Sequence, residues 1–484
     1  EDGNRETGMS RARLFVENFL VYGMTGIIGK AIPVVMVPII TRLIPDTSIY
    51  GVSDLLHVLV SFGSAFAVLG MYDAMFRMFF DDDTQEHKLK VCSSALSVVA
   101  LSSTIAGAIV ILFSKSLSRL LFTTDVYQIW VMLMGVQIAL GALDSIIAAP
   151  TRMQNKRKVY VVLSVVTPLI SYGISVPLIL FVDPLFGLIM GGFASVVSKL
   201  FIFWVLNGKW FSFRFADRRL ALEMLKIGLP LMPTFLMYWV FNSFDRVMIS
   251  NILDTSQNGI YAVGAKVASI SQLIYTGFAG GWQYFAFSTM KDKDQVQLTS
   301  KVFEYLGIIS FVATSLIMPW LPLLFKILFT GDYILGYQVA PYLFLSPLLL
   351  MLFQTSGNQL LVIKRSYWIT ISLVIGAGLN VLLNYLLIPV LGIEGASIAT
   401  LTGYSCSVVI MAVITIKMKL LKVRRRFILS AVITTLFFVM SKLFLNKTLL
   451  PWFAASLLSV GIILFLYREE LKNLKGRTKR GRSV

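Results

Sequence analysis

The chain has 484 residues, 57% hydrophobic and only 14% charged, with 43 Lys and Arg against 25 Asp and Glu and a mean hydropathy of +0.78. Soluble domains carry roughly 25% charged residues, so this composition excludes an ordinary soluble enzyme and defines an integral membrane protein. The net charge of +18 is spread over alternate loops instead of one patch, which argues against nucleic acid as a partner.

Residues 1–8, EDGNRETG, have no apolar character and read as a cloning remnant ahead of Met9; the first apolar run, residues 14–44, is too long for the core of a cleavable signal peptide. Several later runs, among them residues 91–114, 159–182 and 395–416, carry no charge over more than the ~20 residues needed to cross a bilayer. Helices satisfy their own backbone in lipid, so the expected fold is an all-α polytopic bundle. Apolar runs between polar breaks give about fourteen membrane helices, at residues 14–43, 49–71, 89–113, 126–149, 159–181, 185–206, 225–253, 259–287, 302–321, 335–363, 367–391, 395–416, 427–445 and 451–467. Basic residues concentrate on the side that receives both termini, as in Arg152 to Lys158, Arg214 to Lys226 and the run KMKLLKVRRR. The positive-inside rule then places both termini in the cytoplasm of a multi-pass protein. Cys92 and Cys406 sit in apolar runs without metal-ligand spacing, and a disulfide is not expected.

The chain repeats itself. Ile40 to Gly51 (ITRLIPDTSIYG) resembles Ile249 to Gly259 (ISNILDTSQNG) at an offset near 208, and two further motifs, around Tyr160 and Tyr367 and around Gly187 and Gly392, recur in the same order. Six helices separate equivalent points, an even number. This predicts two six-helix lobes related by a pseudo-two-fold along the membrane normal, with two extra C-terminal helices. The expected division is 9–208 for the first lobe, 209–418 for the second, 419–467 for the extra helices and 468–484 for a basic tail.

Three blocks carry a resemblance: RLIPDTSIYGVSDLL; then GLPLMPTF with SFDRVMIS and NGIYAVGAKVASI; then GLNVLLNYLLIPVLGIEGASIATLTGY. Together they resemble the Wzx-type polysaccharide flippases (O-antigen, capsule or teichoic type) of the multidrug/oligosaccharidyl-lipid/polysaccharide (MOP) exporter superfamily, over nearly the whole chain. The resemblance implies a V of two lobes in a bacterial cytoplasmic membrane. It also implies transfer of undecaprenyl-pyrophosphate-linked oligosaccharide from inner to outer leaflet, with membrane lipid and polysaccharide polymerase or assembly proteins as partners.

Such a substrate needs a hydrated, cationic path through the membrane, so ionisable groups inside apolar runs are the candidates. Lys30 lies mid-way along the first helix. Asp54, His57, Ser61 and Ser64 form one polar face of the second, and Asp54 is a candidate proton or cation site. Asp144 follows on the fourth helix. On the seventh, Tyr238, Asn242 and Asp245 share a face with Arg246 adjacent, and the eighth brings Lys266 and Gln272. Arg246 and Lys266 are each seven residues from the turn between their helices, hence about 10 Å below the same membrane face. Asp245 either neutralises Lys266 and leaves Arg246 for the pyrophosphate, or all three line a cavity. Gln354 and Asn358 on the tenth helix serve sugar contact or interhelical bonding equally well. Lys30, Arg246 and Lys266 are the expected substrate-binding cations, opposed by Asp54, Asp144 and Asp245.

Alternatives are a cation-coupled drug or metabolite antiporter of the same superfamily, which would want a more anionic cavity, and a polytopic glycan polymerase or ligase, which would want a large outward loop. No cofactor or metal is expected; the drive is left to protons, sodium or membrane potential.

Overall fold

The computed structural model describes residues 32–154, 156–288, 294–363, 365–445 and 449–470, and these contain helices and turns with no β-strand. Among them, eleven helices are long and apolar enough to cross a membrane, or twelve if Gly331–Gln338 and Ala340–Val362, bent by 45°, count as one span. The all-α polytopic expectation is met. Two expected helices fall outside that count. The first enters the description only at α1, Ile32–Leu43, and the eighth is interrupted at Ser269, where the backbone turns between α12 and α13.

In chain order, α1 leads through Pro45 into α2 (Thr47–Ala67), which starts because Asp46 accepts a hydrogen bond from the Ser48 amide (2.8 Å). The short α3 (Met71–Met78) precedes α4 (Gln85–Leu112), α5 (Ser114–Phe122), α6 (Gln128–Met153), α7 (Arg157–Phe181) and α8 (Pro184–Asn207). A linker containing α9 (Arg218–Gly228) leads to α10 (Met232–Trp239), a π-turn at Val240–Phe244 and α11 (Asp245–Ile252). Asp254 then caps α12 (Thr255–Ala268) through the Gln257 amide, as Asp46 caps α2. The chain continues through α13 (Ile270–Ser288), α14 (Gln295–Ile317), α15 (Leu321–Leu328), α16 (Ala340–Val362), α17 (Tyr367–Leu391), α18 (Ile393–Lys417), α19 (Arg425–Met440) and α20 (Leu449–Leu466).

Short helices α3, α5, α9 and α15 were not resolved by counting apolar runs. Each has eight to eleven residues, too few to register in a window sized for a bilayer crossing.

Helices α2, α4, α6, α7 and α8 pack into one group, and α13, α14, α16, α17 and α18 into a second. The second is built around an apolar centre that includes Phe303, Phe311, Leu348, Leu373 and Met411. The C-terminal pair α19 and α20 lies against α14: Ser456 donates to the Ser315 carbonyl (2.6 Å), and Arg426 and Tyr467 both donate to buried Glu304 (2.7 Å each).

The two groups meet most closely where α2 crosses α12, at the face of the bundle that carries the turns 44–46 and 253–254. Thr47 and Ser256 share a short hydroxyl contact, and Asn258 Nδ2 donates to the Gly51 carbonyl (3.0 Å). A Cβ on Gly51 would collide with the Thr255 carbonyl, and one on Gly259 with the Thr47 carbonyl, so the backbones touch only because both residues lack a side chain. Residues 47–51 and 255–259 are the two copies of the repeated motif, and they form the seam by packing on each other. Tyr333 OH adds hydrogen bonds to the Ile44 and Asp46 carbonyls, at 2.9 and 3.2 Å. On the opposite face the linker belongs to the first group: the Ser212 and Asp217 amides donate to Ser93 and Ser94.

Candidate functional site

The faces of α2 and α12 that form the seam continue inward. Along α2, Thr47, Gly51, Asp54, Val58 and Ser61 succeed one another at helical spacing, and along α12, Ser256, Gly259, Val263 and Lys266 do the same. Beyond the glycines the helices part, and a polar cavity of about 490 Å³ opens between the groups.

Its charged lining is Asp54 from α2, Arg246 from α11 and Lys266 from α12, with His57 beside them. Arg246 Nε lies 3.5 Å from Asp54 Oδ2 across the gap. His57 donates Nδ1–H to the Ser53 carbonyl one turn back (2.7 Å), which leaves Nε2 free to accept. Gly192 on α8 faces that Nε2, where an added Cβ would sit at only 3.1 Å. Lys266 keeps an exposed surface although Gly264, Val267 and Ala268 around it on α12 are buried, because its side chain projects into the cavity.

The largest share of the remaining polar lining comes from α7, as Thr167, Ser171 and Ser175 at spacings of four, with Tyr172 among them. Sequence reasoning passed over α7 because it has no charge between 159 and 182. The hydroxyl stripe at a four-residue period, next to Pro168, was the available signal.

The other expected residues go elsewhere. Asp245 and Arg246 are neighbours in sequence and face different helix groups. Asp245, only 3% exposed, points into the second group, where Tyr261 OH donates to it and the Thr400 hydroxyl lies 3.5 Å away. Of the two readings, neither places Asp245 correctly: it neither bridges to Lys266 nor lines the cavity, and Asp54 is the carboxylate that opposes the cations. Asp144 is buried in the first group and paired with Lys199 of α8 at 2.5 Å, so it is a bridge within that group and not part of the cavity. Tyr238 packs against the apolar centre of the second group, and Asn242, in the π-turn, donates back to the Tyr238 carbonyl (2.6 Å). The backbone carbonyl of Gln272 accepts from the Thr276 hydroxyl (2.7 Å), and Gln354 and Asn358 lie within α16; none of the three lines the cavity. Lys30 lies outside the described residues. The π-turn directly before Asp245 inserts extra backbone into the helix, a feature common where a helix presents a functional side chain.

The architecture is a helical bundle in two groups with a charged cavity between them, the arrangement in which secondary transporters hold their substrates. A model of the family described as "Polysaccharide biosynthesis protein" matches residues 39–334, more than half of the chain, and the chain belongs to that family. No curated protein matches the sequence. Among known structures, the lipid II flippase MurJ in an inward closed conformation is similar at TM-score 0.65 and 14% identity, with 95% of this chain and 99% of that one covered. An inward-facing MATE family multidrug transporter of the MOP superfamily gives 0.59 at 12%, covering 81% and 98%, and a Vibrio cholerae MATE transporter gives 0.58 at 12%, covering 84% and 97%. The fold is therefore one shared with these flippase and MATE transporter structures.

Proposed function

We propose that the protein flips an undecaprenyl-pyrophosphate-linked oligosaccharide, a precursor of a cell-surface polysaccharide, from the inner to the outer leaflet of a bacterial cytoplasmic membrane, as a transporter and not an enzyme. The observation that carries the reading is the charge balance of the cavity: Arg246 and Lys266 face one carboxylate, Asp54, leaving an excess of positive charge where a pyrophosphate would pass. A guanidinium fork suits phosphate oxygens, and the serine and threonine hydroxyls of α7 suit sugar. Membership of a polysaccharide biosynthesis family supports the glycan. In this reading the two helix groups rock about the seam, the seam face is outward, both termini are cytoplasmic, and the polyprenyl tail stays in lipid. A polymerase or assembly protein takes the product, and protons, sodium or membrane potential supply the drive.

The test is complementation of a strain lacking the protein. Arg246→Ala and Lys266→Ala should each abolish polymer export while membrane abundance stays at the wild-type level. Normal export with both replaced would contradict the cationic path. A drug antiporter would instead leave polymer export untouched and change efflux of organic cations.

A further inference from the structure

Elsewhere in the bundle, three buried carboxylates each have a close cationic partner. Lys199 and Asp144 in the first group stand at 2.5 Å, Arg426 donates to Glu304 at 2.7 Å, and Lys442 pairs closely with Glu394. The pair that crosses between the groups differs. Arg246 Nε and Asp54 Oδ2 are 3.5 Å apart, and both atoms are buried without a hydrogen-bond partner among the described residues. The Nε of the guanidinium therefore meets Asp54 by charge without a hydrogen bond, on the rim of a cavity that Lys266 also enters.

Position gives this loose pair leverage. Asp54 lies one turn inward of Gly51 on the α2 face that forms the seam, and Arg246 leads α11 toward the turn that starts α12. Any force that draws Arg246 away from Asp54 removes a contact between α2 and the α11–α12 hairpin directly beneath the glycine crossing. We propose that Asp54 is an internal stand-in for the substrate anion: it occupies Arg246 while the cavity is empty, and a pyrophosphate entering the cavity displaces it, releasing the latch beneath the seam. The inference rests on the anionic-substrate reading above and adds to it a positioning role for Asp54 and a link from headgroup binding to opening of the seam.

The displacement has an electrostatic logic. Two cations facing one carboxylate leave the empty cavity one charge short of neutrality, and a unit of anionic charge brought as close to Arg246 as Asp54 is interacts with it as strongly. A doubly charged, multidentate phosphate group therefore outcompetes a carboxylate that makes no hydrogen bond to its partner.

The test uses the full chain in lipid nanodiscs, with Cys406 replaced by Ser and spin labels on Val126→Cys and Asp332→Cys, exposed sites of the two groups near the seam face. Interspin distances and binding are measured with inorganic pyrophosphate and with undecaprenyl pyrophosphate. Wild-type protein should shift toward longer distances with ligand. Asp54→Asn should populate the longer distances without ligand and should bind about tenfold tighter, because its internal competitor is gone. A response to inorganic pyrophosphate as well as to the lipid means that the phosphate chemistry suffices; a response to the lipid alone means that the lipid-linked form is required, and either supports displacement. Binding in both proteins with no change in distances or affinity in Asp54→Asn overturns the latch and leaves the transport reading standing. Weaker binding in Asp54→Asn also overturns it, since Asp54 would then help to hold the ligand. If neither ligand binds either protein, the anionic-substrate reading fails and the latch fails with it.

Discussion

Asp245 and Arg246 are consecutive, and the difference between their surroundings separates what holds this protein together from what it does. Asp245 is sunk into the second helix group, held by Tyr261 and close to Thr400, while Thr400 also accepts from Asn380 Nδ2 (3.1 Å). Arg246 turns away from that network toward the other group and meets Asp54 across a cavity. A buried polar network fixes a single packing, because removing any member strands its neighbours. A charge at the edge of a cavity keeps free hydrogen-bonding capacity, which a ligand can use.

Substitutions at the two residues should separate a loss of stability from a loss of transport. The largest effect is expected from Asp245→Ala, which leaves the Tyr261 hydroxyl buried without its acceptor. The cost is about 1–3 kcal/mol for the stranded group alone, and the readout is loss of membrane abundance and of thermal stability in detergent. Arg246→Ala should show the reverse pattern, near-normal abundance with no export. If Arg246→Ala lost abundance as severely as Asp245→Ala, the division between the two residues would collapse. Next is the seam. Gly51→Ala puts a methyl into the Thr255 carbonyl, so labels on either side should report a wider separation, and export should fall at least several-fold; an unchanged separation would mean that the glycine crossing is not needed for closure.

The pair Asp144 and Lys199 gives a smaller, purely structural effect. Lys199→Met should destabilise by about 1–3 kcal/mol, tempered by the partial exposure of the lysine, and Asp144→Asn with Lys199→Met should recover much of the loss, since removing both charges costs less than stranding one. The smallest effect is at the exposed pair of Arg119 and Asp125 (2.9 Å). The hydrogen bond from Arg119 holds the Asp125 carboxyl below its usual range. Its contribution is therefore present above the ordinary carboxylate range and is lost as pH falls through the lowered value. In solvent such pairs contribute little, so Arg119→Ala should leave the melting temperature at neutral pH within measurement error.

Much of the bundle was legible in the sequence because bilayer crossing imposes a length, and apolar runs of that length are hard to misread. The repeated motif also carried more than a topology: the two aspartates Asp46 and Asp254 cap equivalent helices, and the two glycines Gly51 and Gly259 touch. Arg246 and Lys266, equally far by residue count from the turn between their helices, do line one cavity. Facing was harder to read. Asp245 and Arg246 differ by 100° around a helix, and the π-turn at Val240–Phe244 shifts the register just before them. A stripe drawn from Tyr238 through Asn242 to Asp245 therefore crosses a break it could not reveal. Asp144 looked like a cavity residue because its partner Lys199 lies 55 positions away, and a bridge inside a helix group leaves no local pattern. The hydroxyl lining of α7 was missed for the opposite reason, since serine and threonine at four-residue spacing also occur where they bond only to their own helix.

The proposed function has positive charge in this cavity carry a lipid-linked pyrophosphate across the membrane. Its most direct test is leaflet transfer of a fluorescent undecaprenyl-pyrophosphate oligosaccharide in proteoliposomes containing wild-type protein, Arg246→Ala or Lys266→Ala. Transfer with the wild type, and rates at the protein-free background with each variant, is the result expected. Wild-type transfer at background, or variants that transfer as fast as the wild type, would contradict it.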